Sequence, residues 1–505
     1  MMTERKNRLK LVLAGLMLGM FVASIDQTVV ATAMGTIVSD LGGLDKFIWV
    51  TTAYLVTELA GMPIFGKLSD MYGRKKFFLF GLSMFLLGSV LSGTAQSIIQ
   101  LSIYRAIQGI GGGALIPIAF TIIFDVFPAD QRGKLSGVFG AVFGLSSIIG
   151  PLAGAYITDY INWRWVFYIN LPLGLITLFL IGVFYHESPV HEKQKIDWWG
   201  AITLVTSVVC LMFALELGGK IYAWDSGIII SLFAAFVLFM VAFLIIETKA
   251  ESPIISFEMF KNRLFATSTL AGLFYGIVFV AAVMFIPIFI QGVKGGSATN
   301  SGILLLPMSL ASVITSVIGG MIVAKFRFRT VMTLSSLILI AGIILLSTLS
   351  VETSRWWITI YMIITGFGTG FSFSVLNMAA IQPFDYTRRG QAGSSINFVR
   401  ELGMTVGLTI YGMIQSHLMT NKLADVISGM GPMGKMMSGD PRAMMAPETR
   451  AHIPSPVLEK WTDALSSSIT ITFLWLILPA AFTFVFALLM GKEKFINLTN
   501  KEISG

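Results

Sequence analysis

The sequence predicts an all-α integral membrane protein with 14 spans: two pseudo-symmetric six-helix bundles and two extra central helices. Three observations predict it. First, the 505 residues are 55% hydrophobic and only 12% charged, with a mean hydropathy of +0.80, where a water-soluble domain carries about 25% charge. Second, apolar stretches of about 20 residues, the length that crosses hydrocarbon as a helix, recur along the whole chain. They lie near 11–36, 47–66, 77–95, 98–124, 135–158 and 163–184, then near 198–216 and 226–247, then near 264–291, 300–323, 330–350, 356–381, 392–416 and 467–490. Third, features of the first six recur in the last six. Gly66 opens a basic hinge and Gly320 a second, an offset of 254; Gly109 and Gly366 head glycine-rich runs, and Arg132-Gly133 recurs as Arg389-Gly390, both offset by 257. Such offsets, in the same order, mark two homologous halves about an axis along the membrane normal.

The expected units are therefore an N-terminal bundle over 1–185, two extra helices with their linkers over 186–262, and a C-terminal bundle over 263–505. The last includes a long loop, 417–466, rich in Met, Gly and Pro, with an amphipathic helix expected around Ser455 to Leu465. Lys and Arg orient the chain. Lys67, Arg74, Lys75 and Lys76, then Arg132 and Lys134, Lys325, Arg327 and Arg329, and Arg388 and Arg389 share a side with the basic termini, whereas the short opposite loops carry one cation each: Lys46, Arg164, Lys220, Lys294 and Arg355. The expectation is a multi-pass protein of the cell membrane, a bacterial plasma membrane, with both termini in the cytoplasm. The apolar run after the basic N-terminus is too long for a cleaved signal peptide and reads as the first span.

Other classes are disfavoured by what the chain lacks. One cysteine, Cys210, builds neither a disulfide framework nor a thiolate metal site, and the four histidines form no metal cluster. The net charge of +8 reads as basic loops against anionic lipid rather than as a nucleic-acid surface.

Charges inside the bilayer cost roughly 2.5–3.5 kcal/mol each on insertion scales, so each needs a reason. Five stand out: Asp26 in the first span, Glu58 in the second, Arg105 in the fourth, and Arg400 with Glu401 in the thirteenth. Structural ion pairs account for some of them. Three acids and two bases nonetheless leave one acid over, and a buried carboxylate binds a proton in one state and releases it in another when a cation approaches.

The stretch Gly66-Lys-Leu-Ser-Asp-Met-Tyr-Gly-Arg-Lys-Lys76 joins the second and third spans. It resembles the signature at that place in the major facilitator superfamily, matching at Gly66, Asp70, Gly73 and Arg74. An ordinary basic loop explains the three cations but not Asp70 with both glycines. The second hinge has Ala324 where the first has Asp70. Arg105-Ala-Ile-Gln-Gly-Ile-Gly-Gly-Gly113 resembles the fourth-helix motif of the superfamily, whose Arg is implicated in proton handling; its glycines imitate a dinucleotide loop, but they lie inside an apolar run with no strand before them. Ser146-Ser-Ile-Ile-Gly-Pro-Leu-Ala-Gly-Ala155 resembles the fifth-helix motif of antiporting exporters, matching at Gly150, Pro151 and Gly154 and departing at Ser146 and Ala155. Packing alone also accounts for a Gly-Pro kink.

With Ser24-Ile-Asp-Gln-Thr-Val-Val30, Trp163-Arg-Trp-Val-Phe-Tyr-Ile-Asn-Leu-Pro172, Asn397-Phe-Val-Arg-Glu-Leu-Gly403 and 14 spans, the chain resembles the drug:proton antiporter family with 14 transmembrane helices over nearly its whole length. The resemblance implies proton-driven export of lipophilic, often cationic compounds. The chain is expected to need no cofactor beyond the proton gradient and to work as a monomer whose partners are its substrates, protons and the lipid bilayer. Asp26, Glu58, Arg105, Arg400 and Glu401 become candidates for proton coupling. Gly66, Asp70, Gly73, Arg74 and Asp125 become the gate, with Asp70 at the N-terminus of the thirteenth span and Arg74 facing Asp125. Candidate substrate contacts are Asp26, Gln27, Tyr54, Asn170, Asn377, Asn397 and Glu401, in a cavity of aromatic and Met side chains. An exporter of an endogenous amphiphile (a lipid, a nucleotide signal or a siderophore) shares all these features, the Gly150-Pro151 signature disfavours a nutrient symporter, and no nucleophile constellation supports an enzyme. Trp163 and Trp165 read as interfacial anchors.

Overall fold

A backbone in hydrocarbon has no water to bond to, so each apolar run closes its own hydrogen bonds as a helix. The computed structural model describes residues 2–42, 48–187, 196–219, 221–295, 298–427 and 455–494. Among these, fourteen long helices follow one another: α1 (Met2–Leu41), α2 (Ile48–Tyr72), α3 (Arg74–Gly93), α4 (Ile98–Val126), α5 (Ala129–Tyr160), α6 (Asn170–Phe184), α7 (Trp198–Leu217), α8 (Gly227–Glu247), α9 (Arg263–Ile288), α10 (Ala298–Ile322), α11 (Phe328–Leu346), α12 (Arg355–Ile381), α13 (Arg389–Ile427) and α14 (Ser455–Leu489).

Among the described residues, twelve candidate spans are long and apolar enough to cross a membrane, so the expected count of 14 is met for twelve only. The other two, α2 and α13, are as long but fall short of that mark; one holds Glu58, Lys67 and Asp70, and the other Arg389, Arg400 and Glu401. The helices that fall short as apolar rods are thus the ones that hold most of the charges to be explained.

The two halves repeat in space as in sequence. In the first, α4 packs on α2 and α3, and α1 on α5; in the second, α12 packs on α10 and α11, and α9 on α13. The bundles meet along two seams, α2 against α13 and α5 against α10. The extra helices cover one of them. Ala201, Leu204, Val208 and Met212 of α7 bury against Val56, Leu59, Ala60 and Met62 of α2 and Phe398 of α13, while α8 is left largely outside, with 11% of its span buried.

Three local expectations are corrected. The amphipathic helix expected at Ser455 to Leu465 is the start of the continuous α14, because its apolar side is prolonged without a break into the last span. At the other end of the 417–466 loop α13 runs on to Ile427; residues 428–454 lie outside the described residues, as do 188–195 of the first linker. Trp163 is no interfacial anchor: it is 2% exposed and its indole Nε1 donates to Asp40 Oδ2 at 2.9 Å, whereas Trp165 is 54% exposed, as an anchor should be.

Candidate functional site

Asp26 sits in the middle of α1 and is fully buried, a position tolerable only with donors on every side. They come from two other helices. Arg105 Nη1 on α4 reaches Asp26 Oδ2 at 2.5 Å, Gln108 Nε2, one turn further on, reaches Oδ1 at 2.8 Å, and Asn170 Nδ2 at the start of α6 reaches the same oxygen at 2.8 Å. Gln108 Oε1 accepts from Arg105 in turn at 2.7 Å. The guanidinium lies over the Tyr54 ring, 4.2 Å from its centroid. Asp26 is thus saturated.

Glu58 is placed differently. Gln27, the residue after Asp26, donates to Glu58 Oε2 at 2.9 Å, but Glu58 Oε1 and the Tyr54 hydroxyl beside it are buried without hydrogen-bond partners among the described residues. Gly112 keeps this corner open, since a Cβ there would lie 2.7 Å from the Tyr54 hydroxyl and 3.5 Å from Glu58 Oε1.

Across the α2/α13 seam Arg400 is buried, and its Nη2 donates to Asn397 Oδ1 at 2.5 Å. Asn397 Nδ2 bonds Asn377 Oδ1 on α12 at 3.1 Å, so these three form one polar string, flanked by Phe373 and Phe143, 5.4 Å and 5.9 Å from the guanidinium. The neighbouring Glu401 is half-buried. Its charge and that of Glu58 are close enough to interact, and among the described residues neither carboxylate takes part in an ion pair. The structure therefore divides the three acids: one is locked onto Arg105, and two, on α2 and α13, make no ion pair among the described residues.

The signature between α2 and α3 forms a second site. Gly73, at φ 109°, turns the chain in a conformation that glycine adopts without strain, and Arg74 begins α3. Asp70 accepts from the main-chain N–H of Gly390 at 2.9 Å and of Gln391 at 2.8 Å, the first turn of α13, where the helix dipole favours a negative charge. Arg74 Nη2 bonds Asp70 Oδ1 at 3.0 Å and the Tyr386 carbonyl at 2.5 Å, and the other guanidinium nitrogen pairs with Asp125 at the end of α4. Asp125 also pairs with Arg389 at 3.1 Å. A Cβ on Gly66 would lie 2.8 Å from the Gly390 carbonyl, so the glycine lets the two bundles touch through backbone.

On α5, Gly150 and Gly154 bring the helix equally close to α1. A Cβ at either would overlap a threonine hydroxyl, that of Thr28 at the first and of Thr32 at the second. Pro151 lies between them inside the helix. Sequence reasoning missed the linker after α8. Glu247 ends α8 and accepts from the N–H groups of Ile254 at 3.0 Å and Ile255 at 3.2 Å, and Gln391 Nε2 donates to the carbonyls of Pro253 at 2.8 Å and Ile254 at 2.6 Å. The linker is strapped to the turn of α13 that holds Asp70. An acid closing an apolar run was the visible signal; its partners are main-chain groups that composition does not single out.

A sequence profile described as the Major Facilitator Superfamily matches residues 16–408. The chain is 55% identical over 496 residues to multidrug resistance protein 3 of Bacillus subtilis, covering 97% of each, and 40% identical over 430 residues to the multidrug transporter protein MdtP of the same organism, covering 84% of this chain and 80% of that one. Among solved structures it is similar to the proton:xylose symporter XylE, with a TM-score of 0.64 at 14% identity over 99% of both chains, a likeness of fold alone.

Proposed function

The chain belongs to the Major Facilitator Superfamily, and on that premise we propose that it is a proton-coupled antiporter that exports lipophilic, cationic drugs by alternating access. Similarity to two proteins named for multidrug resistance and transport supports the drug class. The observation that carries the coupling is the pair Glu58 and Glu401, one from each bundle, with no guanidinium bound to either among the described residues. In this reading α2 and α13 cross the membrane with the other twelve helices, their charged sides at the seam.

Asp26 is a positioning group. It holds Arg105, Gln108 and Asn170 together and leaves Arg105 over Tyr54 at the edge of the Glu58 corner. The two glutamates alternately hold protons and the charge of the substrate, because a pair of close carboxylates is stabilised by either. Proton entry from outside displaces the drug outward; proton release to the cytoplasm resets the pair. Tyr54, Phe143 and Phe373 supply flat apolar faces for the cation. Asp70, Arg74, Asp125 and Arg389 close the cytoplasmic face while the outer face exchanges, with the basic face in the cytoplasm as the Lys and Arg pattern requires.

The test is efflux of a fluorescent cation from everted vesicles with and without a proton ionophore. Glu58→Gln and Glu401→Gln are each expected to cut proton-driven efflux at least about tenfold, the loss of about 1.4 kcal/mol of driving coupling, without lowering the amount of protein in the membrane. Parental exchange in both variants overturns the pair's role. Export that ignores the ionophore overturns proton coupling altogether.

A further inference from the structure

The second hinge, Gly320 to Arg329, lacks the acid of the first and has no part in the latch, yet it keeps three cations. Two of them turn to a cavity of about 400 Å³ between the start of α11 and the end of α14, where Arg327 and Arg329 meet Lys492. An antiparallel bridge between Arg327 and Lys494 holds the two chain segments together. Among the described residues none of the three lining cations makes an ion pair. The nearby acid Glu493 is folded back over Gly491, where a Cβ would touch its carboxylate.

The rest of the lining is of two kinds. Thr330 and Thr333 add hydroxyls, and the Thr333 hydroxyl oxygen is buried without a hydrogen-bond partner among the described residues. Leu334, Leu337 and Leu488 form an apolar wall running from the cations toward the membrane interior; Leu334 and Leu337 are 53% and 48% exposed on the bundle's outer surface. Since α11 begins its span at Phe328 and α14 ends at Leu489, the cations stand at the membrane boundary and the leucines inside it.

We infer that this cavity binds the phosphate headgroup of an anionic phospholipid, in the cytoplasmic leaflet given the orientation proposed above, with its acyl chain along Leu334, Leu337 and Leu488. Three cations without an ion pair among the described residues and two hydroxyls match a phosphodiester, which is all acceptor. The first turn of α11 adds its positive dipole end, and only a ligand with a hydrocarbon tail also covers the leucines. A soluble phosphate has no use for that wall. Cations that serve topology alone need not converge, and here residues from two distant parts of the chain do.

The experiment is native mass spectrometry of the full-length protein, delipidated in mild detergent and titrated with phosphatidylglycerol, phosphatidylcholine or inorganic phosphate. The parent is expected to retain one phosphatidylglycerol with at least about tenfold preference over phosphatidylcholine, and Arg327→Gln/Arg329→Gln/Lys492→Gln to lose that preference. The charge-matched control Lys249→Gln/Lys261→Gln/Lys325→Gln, all exposed residues, is expected to keep it. Equal retention by the pocket variant overturns the site, as does equal loss in the control. Saturable binding of inorganic phosphate that depends on the same three residues, without any preference for phosphatidylglycerol, overturns the lipid assignment in favour of a soluble ester. Should the triple variant not purify as a monodisperse protein, Arg329→Gln alone is expected to weaken retention at least about threefold, and parental retention there overturns the site equally.

Discussion

The two seams between the bundles come from one duplicated design, and at the basic face they have been finished differently. Both are backbone contacts between a hinge glycine and the glycine of an Arg-Gly pair: Gly66 with Gly390 on α2 and α13, Gly320 with Gly133 on α10 and α5. Even the arginines agree, since Arg132 Nε donates to the Phe127 carbonyl at 2.9 Å and Arg389 Nε to the Phe384 carbonyl at 3.2 Å. The charges do not. Where the first seam has Asp70, Arg74 and Asp125, the corresponding positions of the second hold Ala324, Phe328 and Gln382.

The difference separates two ways of closing a membrane protein. At its basic face the second seam has no ion pair among the described residues and relies on fit, with carbonyl and glycine so close that a Cβ at Gly133 would overlap the Gly320 carbonyl; deeper along it the hydroxyls of Ser147 and Ser309 meet at 3.1 Å. The first adds an electrostatic lock whose members come from α2, α3, α4 and α13. It is also the seam that α7 covers and the linker after α8 straps. The extra helices therefore lie on the locked seam only, while the other leaves Leu145, Ile149 and Leu152 of α5 and Ile303, Leu310 and Ile314 of α10 exposed.

Breaking the lock gives the largest expected effect. Asp125→Ala removes the carboxylate shared by Arg74 and Arg389 and leaves a buried guanidinium short of a partner, a loss of about 3–5 kcal/mol. It is expected to abolish efflux and lower the melting temperature in detergent, measured by dye efflux and by differential scanning fluorimetry. At the matching position of the other seam, Gln382 donates to the Lys494 carbonyl at 3.0 Å near solvent. Gln382→Ala is expected to stay within about 1 kcal/mol of the parent, the net worth of such a hydrogen bond. Equal losses at 125 and 382 would erase the distinction between the seams.

A smaller effect is expected from the glycine contact. Gly133→Ala forces the second seam apart, because the added methyl meets backbone that cannot rotate away. Ser136 is buried one turn along α5, and Cys210 is the sole native thiol. In a Cys210→Ser background carrying Ser136→Cys, Gly133→Ala is expected to raise maleimide labelling at least about tenfold, equivalent to about 1.4 kcal/mol toward the open seam. Unchanged labelling means that fit at this glycine does not hold the seam.

The smallest effect is expected from restoring the missing acid. Ala324→Asp is expected to leave efflux within about twofold of the parent, inside the ordinary range for a surface change, and not to rescue Asp70→Asn. The reason is local: α2 continues beyond Gly66 to Tyr72, whereas α10 stops at Ile322, so position 324 is exposed in a turn rather than carried on a helix toward the other bundle. Rescue would mean that the charge matters and its placement does not.

Membrane class, duplication and the identity of most polar groups were legible along the chain, because apolar run length, repeat offset and the cost of burying charge are properties of a linear string. Those rules singled out Asp26, Glu58, Arg105, Arg400 and Glu401 as the groups to explain, whereas Asp70 and Arg74 came from the resemblance of the hinge to the superfamily signature. They could not say which acid is consumed in an ion pair and which two are left, since Gln108 and Asn170 reach Asp26 from positions 82 and 144 residues away. The folded bundle was needed for that, as it was to show Glu247 strapping a linker and Arg327, Arg329 and Lys492 converging. A buried charge takes its partners from whatever lies within a few ångströms, and helix packing sets those neighbours in an order that run lengths do not encode.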